Sequence, residues 1–281
     1  MAKREAATAQ EAHEIRPGQS LELLKELHIL TREGRMNQDS RRKLKQVYHL
    51  VQFIEPLLGE IDRPDIRLVD HGAGKSYLGF ILYDLCFKAK NDAARVHGIE
   101  NRAELVTKSR ALADRLGFPG MSFHHLSVAE AIVADELPDA VDMVTALHAC
   151  DTATDDAILF ALKKRARFIV LVPCCQAEVA AVLRRNKAAA LPAGALSELW
   201  RHPLHTREFG SQLTNVLRCL QLEAHGYQVS VTELVGWEHS LKNELIIAQD
   251  QDLPRRRPGE RLSELLAALG LSELERRFCL P

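Results

Sequence analysis

Two parts of this chain hold residues whose types and spacing could do chemistry. The first is Asp70-His71-Gly72-Ala73-Gly74-Lys75-Ser76, which follows the apolar pair Leu68-Val69 and leads into a helical stretch. Glycines at such a turn let the backbone approach a ligand closely. The helix that follows offers free N–H groups and the positive end of its dipole. Gly74-Lys75-Ser76 resembles the end of a phosphate loop, but that motif needs a glycine where the chain has Val69. A dinucleotide fingerprint needs a third glycine three residues after the second, and that position is Tyr77.

What remains is acidic-x-Gly-x-Gly after a first strand, the form used by S-adenosylmethionine-dependent methyltransferases. That form also places an acid at the end of the second strand. His97-Gly98-Ile99-Glu100 supplies Glu100 there. A carboxylate suits the task because two acceptor oxygens match two neighbouring ribose hydroxyls. Ser127, after the third strand, is expected near the adenine. In α/β folds ligands bind outside the carboxyl ends of the strands, so Asp70, Gly72, Gly74 and Glu100 are expected to bind the cofactor together.

The second part comprises His148, Cys150 and Asp151 after a fourth strand and Cys174 and Cys175 after a fifth. Methyl transfer is an in-line displacement at a sulfonium, and positioning supplies much of its rate. A hydroxyl nucleophile must also lose a proton, which Asp151 or His148 could take. Three readings stay open for Cys174 and Cys175. They could be small buried residues, one could be a nucleophile for C5-methylation of a pyrimidine, or they could join His148 and Cys150 in a zinc-like set. His202 and His205 are reserve ligands for such a set. Adjacent ligands make a tetrahedral site awkward, and no metal is assigned. Ala146-Leu147-His148-Ala149 lacks the Pro-Pro-aromatic run expected of amino-group methylation.

These residues must be positioned by a regular frame. Strands are expected at 66–70, 96–100, 121–126, 141–147 and 168–173, with helices at 77–88, 102–116 and 154–164 between them. Such alternation predicts a parallel sheet covered on both faces. The continuous apolar run Phe168-Ile169-Val170-Leu171-Val172 fits a doubly buried strand. Runs at 227–234 and 243–248 predict an antiparallel pair that closes the sheet. Further helices are expected at 178–201, interrupted at 191–194, and at 208–225. Ahead of the sheet, helices are expected from Ser20, a plausible N-cap, to about 30, and over 39–58. The division expected is a mobile tail over 1–18, a helical N-terminal extension over 19–62, the α/β domain over 63–250, and a linker and C-terminal helix over 254–281.

Bulk composition narrows the classes. The chain has 281 residues, 46% hydrophobic and 27% charged, with a formal net charge of -1. That excludes a disordered or collagen-like chain, and RNA binding would need a local basic patch. Two candidates are the basic cluster Arg32, Arg35, Arg41, Arg42, Lys43 and Lys45, and Arg184-Arg185-Asn186-Lys187. The segment 201–207 is expected to be a substrate-side loop, with Trp237 and Lys242-Asn243 flanking the last turn. The six cysteines show no disulfide-framework spacing, and no apolar run approaches the roughly 18 residues of a membrane span. The chain begins without a signal-peptide pattern. These features predict a cytoplasmic protein.

The segments 70–78, Gly98-Ile99-Glu100, Leu147-His148-Ala149-Cys150-Asp151-x-Ala153-Thr154-Asp155 and Pro173-Cys174-Cys175 resemble the methyltransferase-like protein 25 group. They also resemble the eukaryotic tRNA acceptor-stem 2′-O-methyltransferases. The resemblance covers about residues 65–180, with a weaker echo at Lys242-Asn243-Glu244-Leu245. The tRNA enzymes carry zinc-binding modules ahead of the catalytic domain, whereas this chain has no cysteine before Cys86. The resemblance implies a Rossmann-like class I methyltransferase: α/β, a mostly parallel seven-stranded sheet, and an antiparallel final strand. It also implies an RNA substrate, tRNA in particular; a protein or small-molecule methyltransferase, or a non-catalytic cofactor-binding interaction module, are the alternatives. The expected cofactor set is Asp70, Gly72, Gly74, Glu100, Ser127 and Leu147 with S-adenosyl-L-methionine. The expected catalytic set is Asp151, His148, Cys174 and Cys175. Oligomeric state is not read from the sequence.

Overall fold

The computed structural model describes residues 15–88, 93–147, 149–186, 199, 201–234, 244–253 and 256–279. It divides into two compact units, Met1–His125 and Leu126–Pro281.

The first unit begins with α1 (Leu21–Glu26), whose N-cap Ser20 accepts a hydrogen bond from the Leu23 amide at 3.2 Å. Helix α2 (Gln38–Gly59) is capped by Asn37 and buries Leu44, Val47, Leu50, Val51, Ile54 and Leu58. Those positions recur at the helical period, so one apolar stripe faces inward and the basic residues face out. Strand β1 (Arg67–His71) leads through the glycine turn to α3 (Tyr77–Leu82), which continues as a π-helical turn over Tyr83–Phe87. Strand β2 (Arg95–Ile99), α4 (Ala103–Leu116) and β3 (Met121–His124) complete the unit. The three strands run parallel in the order β3-β2-β1. Their register pairs Asp70 with Gly98, and Gly98 with Phe123.

The second unit opens with α5 (Val128–Val133), β4 (Met143–Leu147), α6 (Thr152–Lys163) and β5 (Phe168–Val172). Then come α7 (Glu178–Arg185), α8 (Pro203–Ala224), β6 (Tyr227–Glu233) and β7 (Glu244–Asp250). Helix α9 (Arg256–Ala268), a 3-10 turn over Ser272–Leu274 and α10 (Glu275–Phe278) end the described chain. Here the order is β4-β5-β7-β6, with β4 and β5 parallel and β7 antiparallel to both neighbours. Seven strands, mostly parallel with an antiparallel final strand and interleaved with helices, are the Rossmann-like class I arrangement expected from the sequence. Every residue of β5 is buried, as its unbroken apolar run requires.

Four expectations need correction. The stretch 201–207 is not a loop, because α8 starts at Pro203 with His202 as its N-cap; proline at the first helical position is pre-set for it. The linker expected at the head of 254–281 is helical from Arg256, where α9 begins and takes in Pro258 in its first turn. The C-terminal helix expected after it is broken at Gly270, whose φ of +65° is a left-handed turn. Helix α5 was not expected; Ser127 and Glu130 form a complete capping box there.

The broken C-terminal segment packs into a core with α7 and α8. Leu262, Leu266, Leu271 and Phe278 lie against Val179, Leu183, Leu213 and Leu217, and all eight are buried. Asn186 and Arg185, from the basic run 184–187, bind this segment: Asn186 donates to Gly270 O at 2.8 Å and Arg185 donates to Glu273 at 3.1 Å.

Candidate functional site

The glycine turn is built by strand register. Asp70 and Gly98 are paired across β1 and β2. The Ala73 amide then donates to Ile99 O at 3.0 Å, which folds the turn back over the end of β2. Gly72 and Gly74 have φ of +66° and +59°, the left-handed region open to glycine at little cost. Ser76, with φ +51°, is held there because its hydroxyl donates to Asp70 Oδ2 at 3.1 Å and its amide donates to Ala73 O at 2.6 Å. Helix α3 lies close on this arrangement. A Cβ on Gly79 would stand 2.5 Å from Ser76 Oγ and 3.3 Å from Asp70 Oδ2.

Glu100 closes the same turn. Its Oε2 accepts the Gly74 amide at 2.7 Å, and its Oε1 accepts the Arg102 amide at 3.1 Å and Arg102 Nε at 2.8 Å. Arg102 Nη2 adds a longer contact to Oε2 at 3.3 Å. Burial alone would raise the Glu100 carboxyl, but the hydrogen bonds from Arg102 and the Gly74 amide outweigh it and hold the group below the usual range. The acid is therefore ionised, with both oxygens accepting from Gly74 and Arg102. The Arg102 side chain is 61% exposed and the Glu100 side chain 9%, so a swing of Arg102 into solvent leaves the buried carboxylate with the Gly74 and Arg102 amides as donors. These donors and acceptors fit S-adenosyl-L-methionine: a left-handed backbone turn, the acid that ends β2, and one removable competitor. Arg102 was missed in sequence reading, because nothing in a residue type two positions past an acid signals such a clamp.

In the second unit the loops after β4 and β5 are clamped together. Register pairs Leu147 with Val172 at the ends of these strands. Just beyond, the Asp151 amide donates to Cys175 O at 2.6 Å. Asp151 Oδ1 accepts the amides of Ala177 at 2.9 Å and Glu178 at 3.2 Å, capping the start of α7. Asp151 sits at φ +50°, a region that costs a non-glycine residue and persists only where the surroundings over-determine it. Part of that determination comes from Arg218, which is 0% exposed and donates to Asp151 O at 2.8 Å. Arg218 also pairs with both carboxylate oxygens of Asp155, at 2.7 and 2.8 Å. Asn215 Oδ1 accepts from Arg218 and from Gln176 Nε2, and its amide donates to Glu244 at 2.6 Å. A lone arginine amid the apolar positions of α8 was the only sequence signal for this network.

The expected catalytic and cofactor residues of this unit fall as follows. Leu147 ends β4 and is half-buried, and Asp151 lies within the clamp. Ser127 spends its hydroxyl on Glu130 at 2.6 Å. His148 lies outside the described residues, as do Lys187, Trp237, Lys242 and Asn243. Cys150 and Cys175 are exposed and Cys174 is intermediate. Cys150 Sγ and Cys174 Sγ are 3.3 Å apart, and the sulfurs of Cys150, Cys174 and Cys175 all lie within 4.8 Å of one another. Burial, with the hydrogen bond to Cys150 behind it, pushes the Cys174 thiol up to about 12. Cys174 is thus a thiol at neutral pH, which does not suit an unassisted nucleophile.

A family model described as a methyltransferase domain matches residues 42–182. The chain is 25% identical over 244 residues to a glutathione S-transferase C-terminal domain-containing protein of Bos taurus, covering 78% of this chain and 35% of that one. The Homo sapiens protein of the same description is 27% identical over 148 residues, 52% of this chain and 21% of that one. The chain therefore spans about a third of the length of the curated relatives it matches. Among solved structures, a CurJ carbon methyltransferase is 15% identical with a TM-score of 0.47, covering 74% of this chain and 54% of that one. A magnesium protoporphyrin IX methyltransferase from Synechocystis is 15% identical with a TM-score of 0.44, covering 81% of this chain and 91% of that one.

Proposed function

The chain belongs to the methyltransferase-domain family, and from that premise we propose that its substrate is RNA, tRNA in particular. Its cofactor is S-adenosyl-L-methionine, which supplies the methyl group. Glu100 is the acceptor for the ribose hydroxyls, and the Asp70–Ser76 turn holds the backbone that receives the rest of the cofactor. Asp151 takes the proton from a hydroxyl nucleophile in this reading, which its fixed position, held by three backbone hydrogen bonds and Arg218, supports.

One observation carries the RNA reading. A cavity of about 360 Å³ in the first unit is lined by Lys75, next to Gly74 of the cofactor turn, together with Lys108, His28 and Arg115. That volume falls in the range of small-ligand pockets; Arg115 is paired there with Glu26 at 2.8 Å, and Lys75 and Lys108 are the lining cations that suit a phosphate. The exposed Arg42, Lys43 and Lys45 of α2 add a basic face in the same unit. A cytoplasmic setting goes with this reading and is supported by six free cysteines; among the described residues, no helix is long and apolar enough to cross a membrane.

The test is transfer of a tritiated methyl group from S-adenosylmethionine to total tRNA, with bulk protein and a small-molecule extract as parallel acceptors. Ribonuclease-sensitive label that falls steeply with salt supports the proposal. Label confined to protein or small molecules overturns it.

A further inference from the structure

The carboxyl ends of β4 and β5 bring together three sulfur atoms that the reading above does not use. Cys150 lies beyond the end of β4, and Cys174 and Cys175 lie beyond the end of β5. Sequence spacing alone made the adjacent pair an awkward source of two ligands, because neighbouring side chains in an extended chain point apart. The structure removes that objection. The Cys150 and Cys174 sulfurs stand 3.3 Å apart, and no pair among the three exceeds 4.8 Å. Zinc–thiolate bonds of about 2.3 Å at tetrahedral angles put neighbouring sulfurs about 3.8 Å apart. The Cys150–Cys174 separation is about 0.5 Å short of that value, and the other two stay under 4.8 Å, so small side-chain rotations reach it. The three thiols also sit on a braced frame. The Asp151 amide holds Cys175 O at 2.6 Å, and the Asp151 carboxylate holds the amides of Ala177 and Glu178.

We propose that Cys150, Cys174 and Cys175 form a binding site for a thiophilic metal ion, Zn²⁺, in which three thiolates bind the metal and, among the described residues, the fourth position stays open to an exchangeable ligand. The open position follows from exposure. Cys150 and Cys175 are both exposed, so the ion would face solvent on their side and take water or another small donor there. Three protein ligands with one exchangeable position is the pattern of reactive zinc sites, whereas structural sites close all four. Binding displaces the three thiol protons to solvent, and each sulfur bonds to the metal with no change of oxidation state. The site lies wholly within the second unit and does not depend on which substrate is methylated.

The test uses the full chain, reduced and stripped with a chelator. Zn²⁺ is titrated against a chromophoric chelator, Co²⁺ is added separately as a spectroscopic probe, and reactive thiols are counted before and after zinc. The expected result is one Zn²⁺ per chain, loss of three reactive thiols, and a thiolate-to-cobalt charge-transfer band of tetrahedral type. Cys150→Ser and Cys175→Ser, both at exposed positions that should fold, are each expected to weaken zinc roughly 100-fold or more. Cys86→Ser and Cys219→Ser are expected to leave it unchanged. Substoichiometric zinc, unchanged thiol counts, or equal affinity in the Cys150→Ser and Cys175→Ser variants overturns the site. So does a Cys150–Cys174 disulfide that persists under the reducing conditions used.

Discussion

Arg102 Nε donates to Glu100 Oε1 at 2.8 Å, so the acid expected to receive the cofactor ribose is already held by a side chain two residues away. The pair sets up a competition. Ribose hydroxyls must displace an exposed guanidinium, while the Gly74 amide can keep its own bond to Oε2. The guanidinium is 61% exposed but the carboxylate only 9%, so the displacement has a cost that the incoming hydroxyl donors must offset. Arg102→Ala is expected to tighten S-adenosylmethionine a few-fold. Glu100→Ala is expected to weaken it by on the order of 100-fold, the loss of two charge-assisted hydrogen bonds. Calorimetric titration of both variants checks this; equal affinity in Glu100→Ala and wild type removes Glu100 from the site.

Gly98 is a packing position. Its Cβ would stand 2.6 Å from Phe123 Cδ1, and Phe123 is 3% exposed. Gly98→Ala should cost about 1–3 kcal/mol by overpacking. Urea denaturation reads this directly, and the same variant should lose cofactor affinity because β2 carries Glu100 at its end. An unchanged midpoint would show that Phe123 yields freely.

Arg218 and Asp155 form a buried ion pair, with side chains 0% and 5% exposed. Removing one partner leaves an uncompensated buried charge, a loss of about 3–5 kcal/mol. Arg218→Met should therefore destabilise the protein by that amount. Replacing both partners by apolar residues of similar size should recover part of it. The clamp on Asp151 O would still be gone, so methyl transfer should stay low in the double variant. Full activity there would show that the clamp does not position Asp151.

Two histidines tie stability to pH. Burial pushes His71 down to about 4, and burial together with the neighbouring His124 does the same for His97. The unfolded chain binds these protons near pH 6.5 and the folded chain does not. Their contribution to stability is therefore complete above about pH 6.5 and is lost as the pH falls from there toward 4. Thermal melts at steps between pH 7 and 4 should show a falling midpoint, shallower in His97→Gln. A midpoint flat across that window would contradict neutral buried histidines.

Much of this was legible in the sequence because the informative relationships are local. The glycine turn, the acid four residues into the second strand's apolar run and the unbroken run of β5 are all read within a few positions. Some local signals were legible but assigned elsewhere: Ser127-x-x-Glu130 is a capping box, and Pro203 and Gly270 mark a helix start and a helix break. The nearness of Cys150 to Cys174 and Cys175 was expected from adjacent fourth and fifth strands, but the closeness of their sulfurs depends on Leu147 pairing with Val172, 25 positions apart, and could not be read. The Arg218 network joins α8 to the start of α6 across 63 positions. Composition gives no hint of either.

The most direct test is titration calorimetry of the purified chain with S-adenosyl-L-methionine, with ATP and NAD as controls. One equivalent of S-adenosylmethionine bound in the micromolar range, with no heat from ATP or NAD, is the predicted result. No binding, or binding of ATP or NAD alone, would contradict the assignment of the Asp70–Ser76 turn and Glu100 to this cofactor.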